Sequence, residues 1–411
     1  MMNPKMYVLR RRVLLEKILH SSMTGGVLLL FCAVVAVMAA NIPALNWLHE
    51  FWDISFGFTF GNFTFDMPVR QWVDDVLMAV FFFSVGLEIK RELLVGELST
   101  MKKAMLPMFA ALGGMVFPAL IYTCFNAGTP SAGGWGIPMA TDIAFAIGVL
   151  SLLGKRCPAG LKVLLVALAV VDDIGAIIVL AIFYPAHEIH LMYLLYAALT
   201  VAVLVLINRA GIRSLLLYLV LGIVLFIFVF RSGIHATIAG VILAMTIPAK
   251  TSKGDIRAFT GPDSPLGHLE SALHPWVNYL IMPIFALANA GVVIDSSALG
   301  NGAMPAVIPG VFFGLLIGKP LGIFVFSWLA VRLGLASRPE GTKWVQVLAL
   351  GILGGIGFTM SIFIDNLAFS DPFLINAGKL AILATSFLAA CLGIAALYLT
   401  TGEKNKTNIS I

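Results

Sequence analysis

Two adjacent acids, Asp172 and Asp173, lie near the middle of the apolar segment 161–184, LKVLLVALAVVDDIGAIIVLAIFY. The segment is long enough to cross a bilayer, where one carboxylate at the centre costs roughly 2.5–3.5 kcal/mol even on the lenient insertion scale. Two neighbouring carboxylates cannot both ionise easily in a poorly solvated site, so we expect the pair to bind protons as a unit. The same oxygens can also hold a cation, which favours a role in transport.

Two more ionisable side chains fall near the middle of other apolar segments. Asp142 follows Thr141 in the fourth segment, and Lys319 lies in the tenth, within LLIGKPLG. Three acids and one base leave surplus negative charge, which a cation or extra protons must balance. A buried Asp–Lys pair that only locks helices together explains Lys319 and one aspartate but not the other two. The oxygen donors, including the Thr141 hydroxyl, suit an alkali cation better than a transition metal.

The composition is that of a polytopic membrane protein. The chain has 411 residues, of which 60% are hydrophobic and 11% charged, and its mean hydropathy is +0.99. Its net charge of +5 comes from basic residues spread between apolar segments, which argues against a nucleic-acid partner. The four cysteines are far apart and form no C-x-x-C pair, so a disulfide framework or metal cluster has little support. We expect no cofactor and no enzymatic activity.

Apolar segments of bilayer length predict an all-α protein with twelve transmembrane helices. These segments lie at about residues 25–45, 71–90, 104–126, 135–154, 161–184, 191–208, 212–230, 233–249, 275–294, 306–331, 344–364 and 375–400. Among the 26 basic residues, Arg70 and Arg231 alone fall in one alternating set of loops, and Lys319 and Lys379 fall inside spans. The positive-inside rule therefore places both termini in the cytoplasm.

The whole chain, residues 1–411, is read as one transporter domain. Its basic N-terminal segment, residues 1–24, is predicted to be a cytoplasmic interfacial helix that leads into a retained first span. Residues 401–411 are predicted to form a cytoplasmic tail.

The external loop 46–70 contains SFGFTFGNFTFD, in which phenylalanines alternate with small residues around Gly61-Asn62. Period-two alternation around a Gly-Asn pair predicts a small β-hairpin with one aromatic face, formed by Phe56, Phe58, Phe60, Phe63 and Phe65. Such a face needs cover from the membrane interface or from a second protomer. We expect a homodimer with its contact at this hairpin.

Two of the predicted spans are interrupted. The fourth contains GIPMATDIAFAIG, with Pro138 just before the acid, and the eleventh contains GILGGIGFTMSIF, with three glycines close together, Gly354, Gly355 and Gly357. Irregular backbone at membrane depth is tolerated only where it lines a cavity or is buried in protein. The alternative for the eleventh span is that its glycines merely allow close helix packing.

The second segment, WVDDVLMAVFFFSVGLEIKREL, places Asp75 toward the outside and Glu88 toward the inside, ~20 Å apart along a helix. Glu88 and Glu92 share a helix face and predict a cation-attracting rim at the cytoplasmic mouth, although ordinary boundary charges are the alternative. His235, in RSGIHAT at the external end of the eighth span, is either a pH sensor or a simple hydrogen-bonded histidine.

Seven segments together resemble the NhaA family of bacterial sodium/proton antiporters, from about residue 14 to residue 400: GLEIKREL, ATDIAFAIG, LAVVDDIGAII, RSGIHATIAG, LHPWVNYLIMPIFALANAG, IGKPLG and GGIGFTMSIF. The resemblance implies a protein of the bacterial inner membrane. It also implies that spans three to five and ten to twelve form inverted repeats, with the interrupted fourth and eleventh helices crossing at mid-membrane, as is known for this family.

The resemblance implies roles for the intramembrane residues. Asp142 would compensate the partial positive charge of facing helix N-termini, and Lys319 the partial negative charge of facing C-termini. Asp173 would be the central ligand of Na⁺, bound at Asp172 and Asp173. Asp172 would share proton binding and pair with Lys319, and Thr141 would belong to the cation site.

The resemblance also implies a cytoplasmic funnel that responds to pH, formed by Glu88, Arg91, Glu92 and Glu270. Here the chain departs from the family pattern, because Gly267 and His268 stand where a more basic stretch is expected. The pH of activation is therefore not carried over.

The function expected is electrogenic export of Na⁺ or Li⁺ in exchange for external H⁺ by alternating access. It would be active at neutral to alkaline pH and serve sodium and pH homeostasis. A Na⁺- or H⁺-coupled solute symporter would use similar buried acids, but no second polar constellation suits a sizeable substrate. An intramembrane aspartyl protease faces its acids across two helices and has a G-x-G-D pattern, which is absent here.

Overall fold

The computed structural model describes residues 22–60, 63–185, 188–249, 264–294 and 304–401. The predicted N-terminal interfacial helix lies outside the described residues except for its last three positions, which begin the first helix. The predicted tail also lies outside them except for Thr401, which ends the last helix.

Helices make up most of the described chain, and sixteen α-helices in it have at least six residues. In order they are α1 (Ser22–Asn41), α2 (Asn46–Phe51), α3 (Met78–Leu94), α4 (Met101–Asn126), α5 (Ile143–Ser151), α6 (Ala159–Phe183), α7 (Leu191–Arg209), α8 (Leu215–Arg231), α9 (Thr237–Thr246), α10 (Pro265–Trp276), α11 (Met282–Asn289), α12 (Val307–Phe313), α13 (Lys319–Arg332), α14 (Trp344–Gly354), α15 (Phe358–Ala368) and α16 (Pro372–Thr401). Turns of π-helix precede α3 (Trp72–Leu77), join α10 to α11 (Val277–Ile281) and join α12 to α13 (Gly314–Gly318). A 3₁₀ helix, Pro130–Met139, precedes α5.

Seven helices in the described ranges are long and apolar enough to cross a membrane, and nine spans result if each of two bent pairs counts as one. The predicted second, seventh and eighth spans correspond to α3, α8 and α9, which are 17, 17 and 10 residues long. Length and composition therefore support seven to nine spans, and the count of twelve stays a prediction.

Both predicted interruptions are confirmed. The 3₁₀ helix Pro130–Met139 meets α5 at a bend of 45°, and α14 meets α15 at 49°. The two breaks touch, because the Asp142 backbone N–H donates to the Ile356 carbonyl at 2.7 Å. Backbone groups freed where the helices break are thus bonded to each other inside the protein, as a break at membrane depth requires.

The predicted hairpin is confirmed as a two-stranded antiparallel sheet of β1 (Ser55–Phe60) and β2 (Phe63–Pro68). Its register pairs Ser55 with Pro68 and Phe60 with Phe63. The Trp72 indole N–H donates to the Phe56 carbonyl at 2.7 Å and fixes the hairpin to the start of the following helix. The predicted hairpin loop, residues 46–70, also contains the short helix α2, Asn46–Phe51.

The hairpin marks one end of the helix bundle, called the hairpin end below. Here α1 and α11 end and α16 begins, since the Asn41 amide donates to the Val292 carbonyl at 2.6 Å and the Asn376 amide to the Val293 carbonyl at 2.9 Å. Arg70 adds a bond from its Nη1 to the Ala288 carbonyl at 2.5 Å. These contacts define the end of the bundle toward which α15 runs.

Small residues bring α4 and α13 into backbone contact. A Cβ added at Gly113 would clash with the Gly322 carbonyl oxygen and lie 2.8 Å from the Phe326 Cβ. Close approach through paired small residues is a common way to pack helices in membranes. Because α13 begins with Lys319, this contact also sets the position of one site residue.

We expect Gly113→Val to lower the free energy of unfolding by about 1–3 kcal/mol, the usual cost of overpacking a buried contact. The matched control is Gly133→Ala, because the nearest heavy atom to a Cβ there is the Ala368 carbonyl oxygen at 3.8 Å. Thermal unfolding of both variants in detergent measures the difference. Equal unfolding temperatures would contradict the role given to the Gly113 contact.

Candidate ion-binding site

Asp142 lies where the two interrupted helices meet and is 1% exposed. It is the N-cap of α5, and its Oδ1 accepts the Phe145 backbone N–H at 2.9 Å. Its Oδ2 accepts the Thr359 backbone N–H, in the first turn of α15, at 3.3 Å, and also the Thr359 hydroxyl. One carboxylate thus faces the N-termini of two helices, where a negative charge is favourable.

Lys319 and Asp172 form a buried ion pair beside this crossing. Lys319 Nζ lies 2.7 Å from Asp172 Oδ2, and each side chain is 1% exposed. The Lys319 ammonium also donates to the carbonyl of Met139, the last residue of the 3₁₀ helix. Its positive charge offsets the partial negative charge at this C-terminal end of the helix. The Thr141 hydroxyl donates to Asp172 Oδ2 at 2.7 Å and lies 3.0 Å from the Gly354 carbonyl.

The site contains three aspartates, Asp142, Asp172 and Asp173, and one lysine, Lys319. Asp173 is 3% exposed and interacts electrostatically with the like charges of Asp172, Asp142 and Glu88, and with the opposite charge of Lys319. Asp172 Oδ1 is buried and has no hydrogen-bond partner in the described part of the chain. The geometry therefore places Asp173 within electrostatic range of three other carboxylates, with too little positive charge among these side chains to balance all of them in the ionised form.

The donors around Asp172 are carboxylate, hydroxyl and carbonyl oxygens. Within the described residues, no group of three or more His, Cys, Asp and Glu side chains is arranged to hold a metal ion. Oxygen donors of this kind suit a small hard cation, and the nitrogen and sulfur ligands that select transition metals are not among the side chains named here.

A cavity of about 150 Å³ lies between α1, α3, α5 and α10. Its lining includes Ser84, Glu88, Ala144, His274, Asn278 and Tyr279. Ala144 is two residues after Asp142, so the cavity extends from Glu88 to the N-terminus of α5. The cavity thus lies toward the end of the bundle opposite the hairpin and reaches the first turn of α5, the helix that Asp142 caps.

The four residues predicted for the funnel lie together at that opposite end. Arg91 pairs with Glu270 Oε1 at 2.8 Å and with Glu92 Oε1 at 3.0 Å, and Glu88 interacts electrostatically with all three. Glu92 Oε2 accepts the Glu97 backbone N–H at 2.9 Å. The Glu92 carboxylate thus holds Arg91 and the turn after α3, so it is a structural contact as well as part of the predicted rim.

The remaining predicted residues occupy other positions. Asp75 lies in the π-helical turn before α3, next to Asp74, and His235 is buried in the turn before α9. Neither is among the side chains that the contacts above join to Asp172. The three glycines form the break of the eleventh span: Gly354 ends α14, Gly355 caps it and Gly357 precedes α15.

Sequence reasoning missed three residues that lie in or near the site. Thr359 donates to Asp142 through its hydroxyl. Its position as the first hydroxyl residue after the glycine-rich break could have indicated this contact. Asp365 is completely buried, yet the predicted eleventh span ended at residue 364 and left it outside, whereas α15 continues to Ala368. Lys379 was placed inside a span but given no partner, and it interacts electrostatically with Asp365.

Comparison with known proteins covers most of the chain. The family described as Na⁺/H⁺ antiporter 1 matches residues 16–397. The Na(+)/H(+) antiporter NhaA of Wolinella succinogenes is 46% identical over 419 residues, covering 93% of this chain and 92% of the relative. The Na(+)/H(+) antiporter NhaA 2 of Flavobacterium johnsoniae is 49% identical, with coverages of 94% and 92%. The Na(+)/H(+) antiporter NhaA of Escherichia coli O157:H7 is 47% identical, with coverages of 92% and 96%.

Proposed function

We propose a residue-level mechanism for this chain. The chain belongs to the NhaA family of Na⁺/H⁺ antiporters, so it is a multi-pass membrane protein that exchanges sodium for protons. The observation that supports it most is that Asp172 Oδ1, which is buried and has no hydrogen-bond partner in the described chain, belongs to the residue that precedes Asp173. Na⁺ or Li⁺ binds at Asp172 and Asp173 with the Thr141 hydroxyl nearby. Protons bind the same carboxylates when the cation leaves.

Competition for these oxygens couples the two ions. A cation at the two acids supplies the positive charge that protons supplied before, so the protons leave as the cation enters. The cation also competes with Lys319 for the Asp172 carboxylate, to which Lys319 is bonded at 2.7 Å. Because acid pH fills the same oxygens with protons, Na⁺ binding weakens as the pH falls, and exchange is active at neutral to alkaline pH.

Alternating access moves this site between the two sides of the membrane. The proposed architecture has twelve spans with two inverted repeats, and Asp142 and Lys319 offset the charges of the helix ends at the crossing. The cavity beside Glu88 is the inward entrance, and Asp75 and His235 belong to the external side. The exchange exports Na⁺, imports external protons and is electrogenic. Both termini lie in the cytoplasm, and the protein resides in the bacterial inner membrane.

The pH response is assigned to the charged cluster at the inward entrance. Arg91 joins Glu92, on its own helix α3, to Glu270 on α10. Protonation of an acid in this cluster weakens the contact between the two helices that line the cavity. The width of the entrance then depends on pH, which links the cluster of Glu88, Arg91, Glu92 and Glu270 to regulation.

The homodimer contact is assigned to the hairpin. Three apolar side chains in and near it are strongly exposed, Trp47 at 63%, Ile54 at 56% and Phe56 at 64%. Apolar surface of this kind is covered by lipid or by another protomer. Removal of residues 55–68 is expected to convert a dimer to a monomer in size-exclusion chromatography with light scattering. A dimer of the shortened chain would show that the contact lies elsewhere.

Cation selectivity and pH dependence test the proposal in sealed proteoliposomes. With a preset pH gradient and a fluorescent pH probe inside, Na⁺ and Li⁺ are expected to collapse the gradient, whereas K⁺ and choline leave it intact. The Na⁺-dependent rate is expected to fall as the pH on both sides is lowered below neutral. A rate that stays undiminished in acid would contradict competition between protons and cations for the same carboxylates.

A further inference from the structure

A second group of buried charges lies between the ion site and the hairpin end. Asp365, on α15, is 0% exposed, and Lys379, on α16, is 6% exposed. Thr359, which donates to Asp142, lies six residues before Asp365 on α15. This spacing corresponds to a rise of about 9 Å along the helix. The mechanism above uses neither residue, although both lie on the side from which external protons enter.

The surroundings of the Asp365 carboxyl are those of a group that binds a proton. Neither of its oxygens has a hydrogen-bond partner in the described chain. The carboxyl packs against the backbone of Gly378, where an added Cβ would lie 2.7 Å from Asp365 Cγ. An ionised carboxylate with no hydrogen bonds is strongly disfavoured at such a position, so the neutral, protonated form of the group is favoured there.

Among the described residues, the ionisable groups that interact electrostatically with Asp365 lie on two neighbouring helices. Lys379 on α16 interacts electrostatically with it without forming an ion pair, and Tyr122 on α4 also lies within electrostatic range. Farther toward the hairpin end, Lys379 interacts electrostatically with Arg70 and Asp74. Asp74 also interacts with Asp75 and Arg70. Lys379 is thus placed between Asp365 and the acids at the hairpin end.

Two amides connect this group to the hairpin end. The Asn366 amide donates to Asn289 Oδ1 at 2.8 Å, and the Asn289 amide donates to Asp74 Oδ1 at 2.6 Å. Asp74 is only partly buried, at the start of the second predicted span. A series of hydrogen bonds therefore leads inward from Asp74, which also interacts electrostatically with Lys379, and ends at Asn366, the residue after Asp365.

We propose that Asp365 is a second proton-binding site, which takes a proton from the hairpin side and holds it next to Lys379 before it reaches the ion site. An O–H bond of a hydronium ion on the hairpin side breaks as an O–H bond forms on the Asp365 carboxylate, whose charge rises from −1 to 0. The new O–H bond breaks when the proton passes on to a carboxylate of the ion site, and Asp365 returns to its charged form. This inference rests on the proposed function, because it assigns a step in the proton half of the exchange.

Infrared difference spectroscopy of the full chain in liposomes during a pH titration detects the proton directly. Asp365→Asn is expected to lose one carbonyl absorption of a protonated carboxyl. Asp66→Asn, which removes an exposed acid of the hairpin, is expected to keep it. A difference spectrum of Asp365→Asn identical to that of the unmodified chain would overturn the proposal.

Transport gives a second readout. At saturating Na⁺, Asp365→Asn is expected to need about tenfold more external H⁺ for half-maximal exchange, which corresponds to a loss of one pKa unit in the apparent affinity for external protons. The Na⁺ concentration for half-maximal rate stays as in the unmodified chain. The double variant D365N/K379Q removes both ionisable groups and gives the same result if the single variant folds poorly.

Two transport results would overturn the proposal. One is unchanged dependence on external H⁺, and the other is a parallel change in the half-saturating Na⁺ concentration, which would place Asp365 on the cation route. Failure here is separable from failure of the proposed function. The proposed function fails if Asp173→Asn still exchanges, whereas the present inference fails if Asp365→Asn behaves like Asp66→Asn while Asp173→Asn is inactive.

Discussion

In sealed proteoliposomes, the Asp173→Asn variant is expected to leave a preset pH gradient unchanged when Na⁺ or Li⁺ is added. The carboxylate is 3% exposed and lies beside Asp172, whose Oδ1 has no hydrogen-bond partner in the described residues. Asparagine keeps the size of the side chain but can neither bind a proton near neutral pH nor contribute a negative charge to cation binding. Exchange therefore falls to the rate of liposomes without protein.

The same variant is expected to unfold at a temperature equal to or above that of the unmodified chain. Asp173 interacts with the like charges of Asp172, Asp142 and Glu88, so neutralising it relieves repulsion in a buried site. A loss of transport without a loss of stability separates a role in ion binding from misfolding. Asp66→Asn, an exposed acid on the hairpin, serves as the matched control and is expected to exchange normally. Residual Na⁺-dependent exchange by Asp173→Asn would remove this residue from the cation site.

The Asp142→Ala variant is expected to lose about 2–4 kcal/mol of unfolding free energy, since its carboxylate caps one helix and accepts two hydrogen bonds from the first turn of another. The contacts are the Phe145 N–H at the start of α5 and the N–H and hydroxyl of Thr359 at the start of α15. Removing the side chain leaves these buried donors without their acceptor. Asp142→Asn keeps one acceptor oxygen and is expected to lose less.

A single exposed cap provides the comparison. Asp371 precedes α16 and accepts the Phe373 N–H at 2.9 Å, so Asp371→Ala is expected to cost about 1 kcal/mol, as caps usually do. Thermal and denaturant-induced unfolding in detergent, followed by loss of helix signal, ranks the three variants. If Asp142→Ala loses no more unfolding free energy than Asp371→Ala, the Asp142 carboxylate does not stabilise the crossing of the interrupted helices.

Local sequence rules identified much of the central site. Asp142, Asp172, Asp173 and Lys319 were found because charges are rare in apolar segments of this length, and each is buried in the structure. The interruption of the fourth and eleventh spans followed from Pro138 and from the glycine-rich run, and both helices break within three residues of these signals. These features depend on properties that a short stretch of sequence contains.

Features that depend on distant residues could not be predicted in the same way. Lys319 donates to the Met139 carbonyl because a 3₁₀ helix ends at Met139. The side chains in this part of the sequence do not predict that helix end. Asp365 was missed because hydropathy placed the end of its span several residues too early, although α15 continues through Asp365 to Ala368. Its contact with Gly378 is set by the packing of α15 against α16, which only the folded chain specifies.

Proton release on cation binding tests the competition between Na⁺ and H⁺ most directly. Na⁺ is added to the purified chain in weakly buffered detergent at slightly alkaline pH, with a pH indicator in solution and binding followed in parallel by calorimetry. Na⁺ and Li⁺ are expected to bind and release protons, K⁺ to do neither, and Asp173→Asn to show no release. Binding of Na⁺ to the unmodified chain without any release of protons would contradict the account, because the two ions would then occupy different groups.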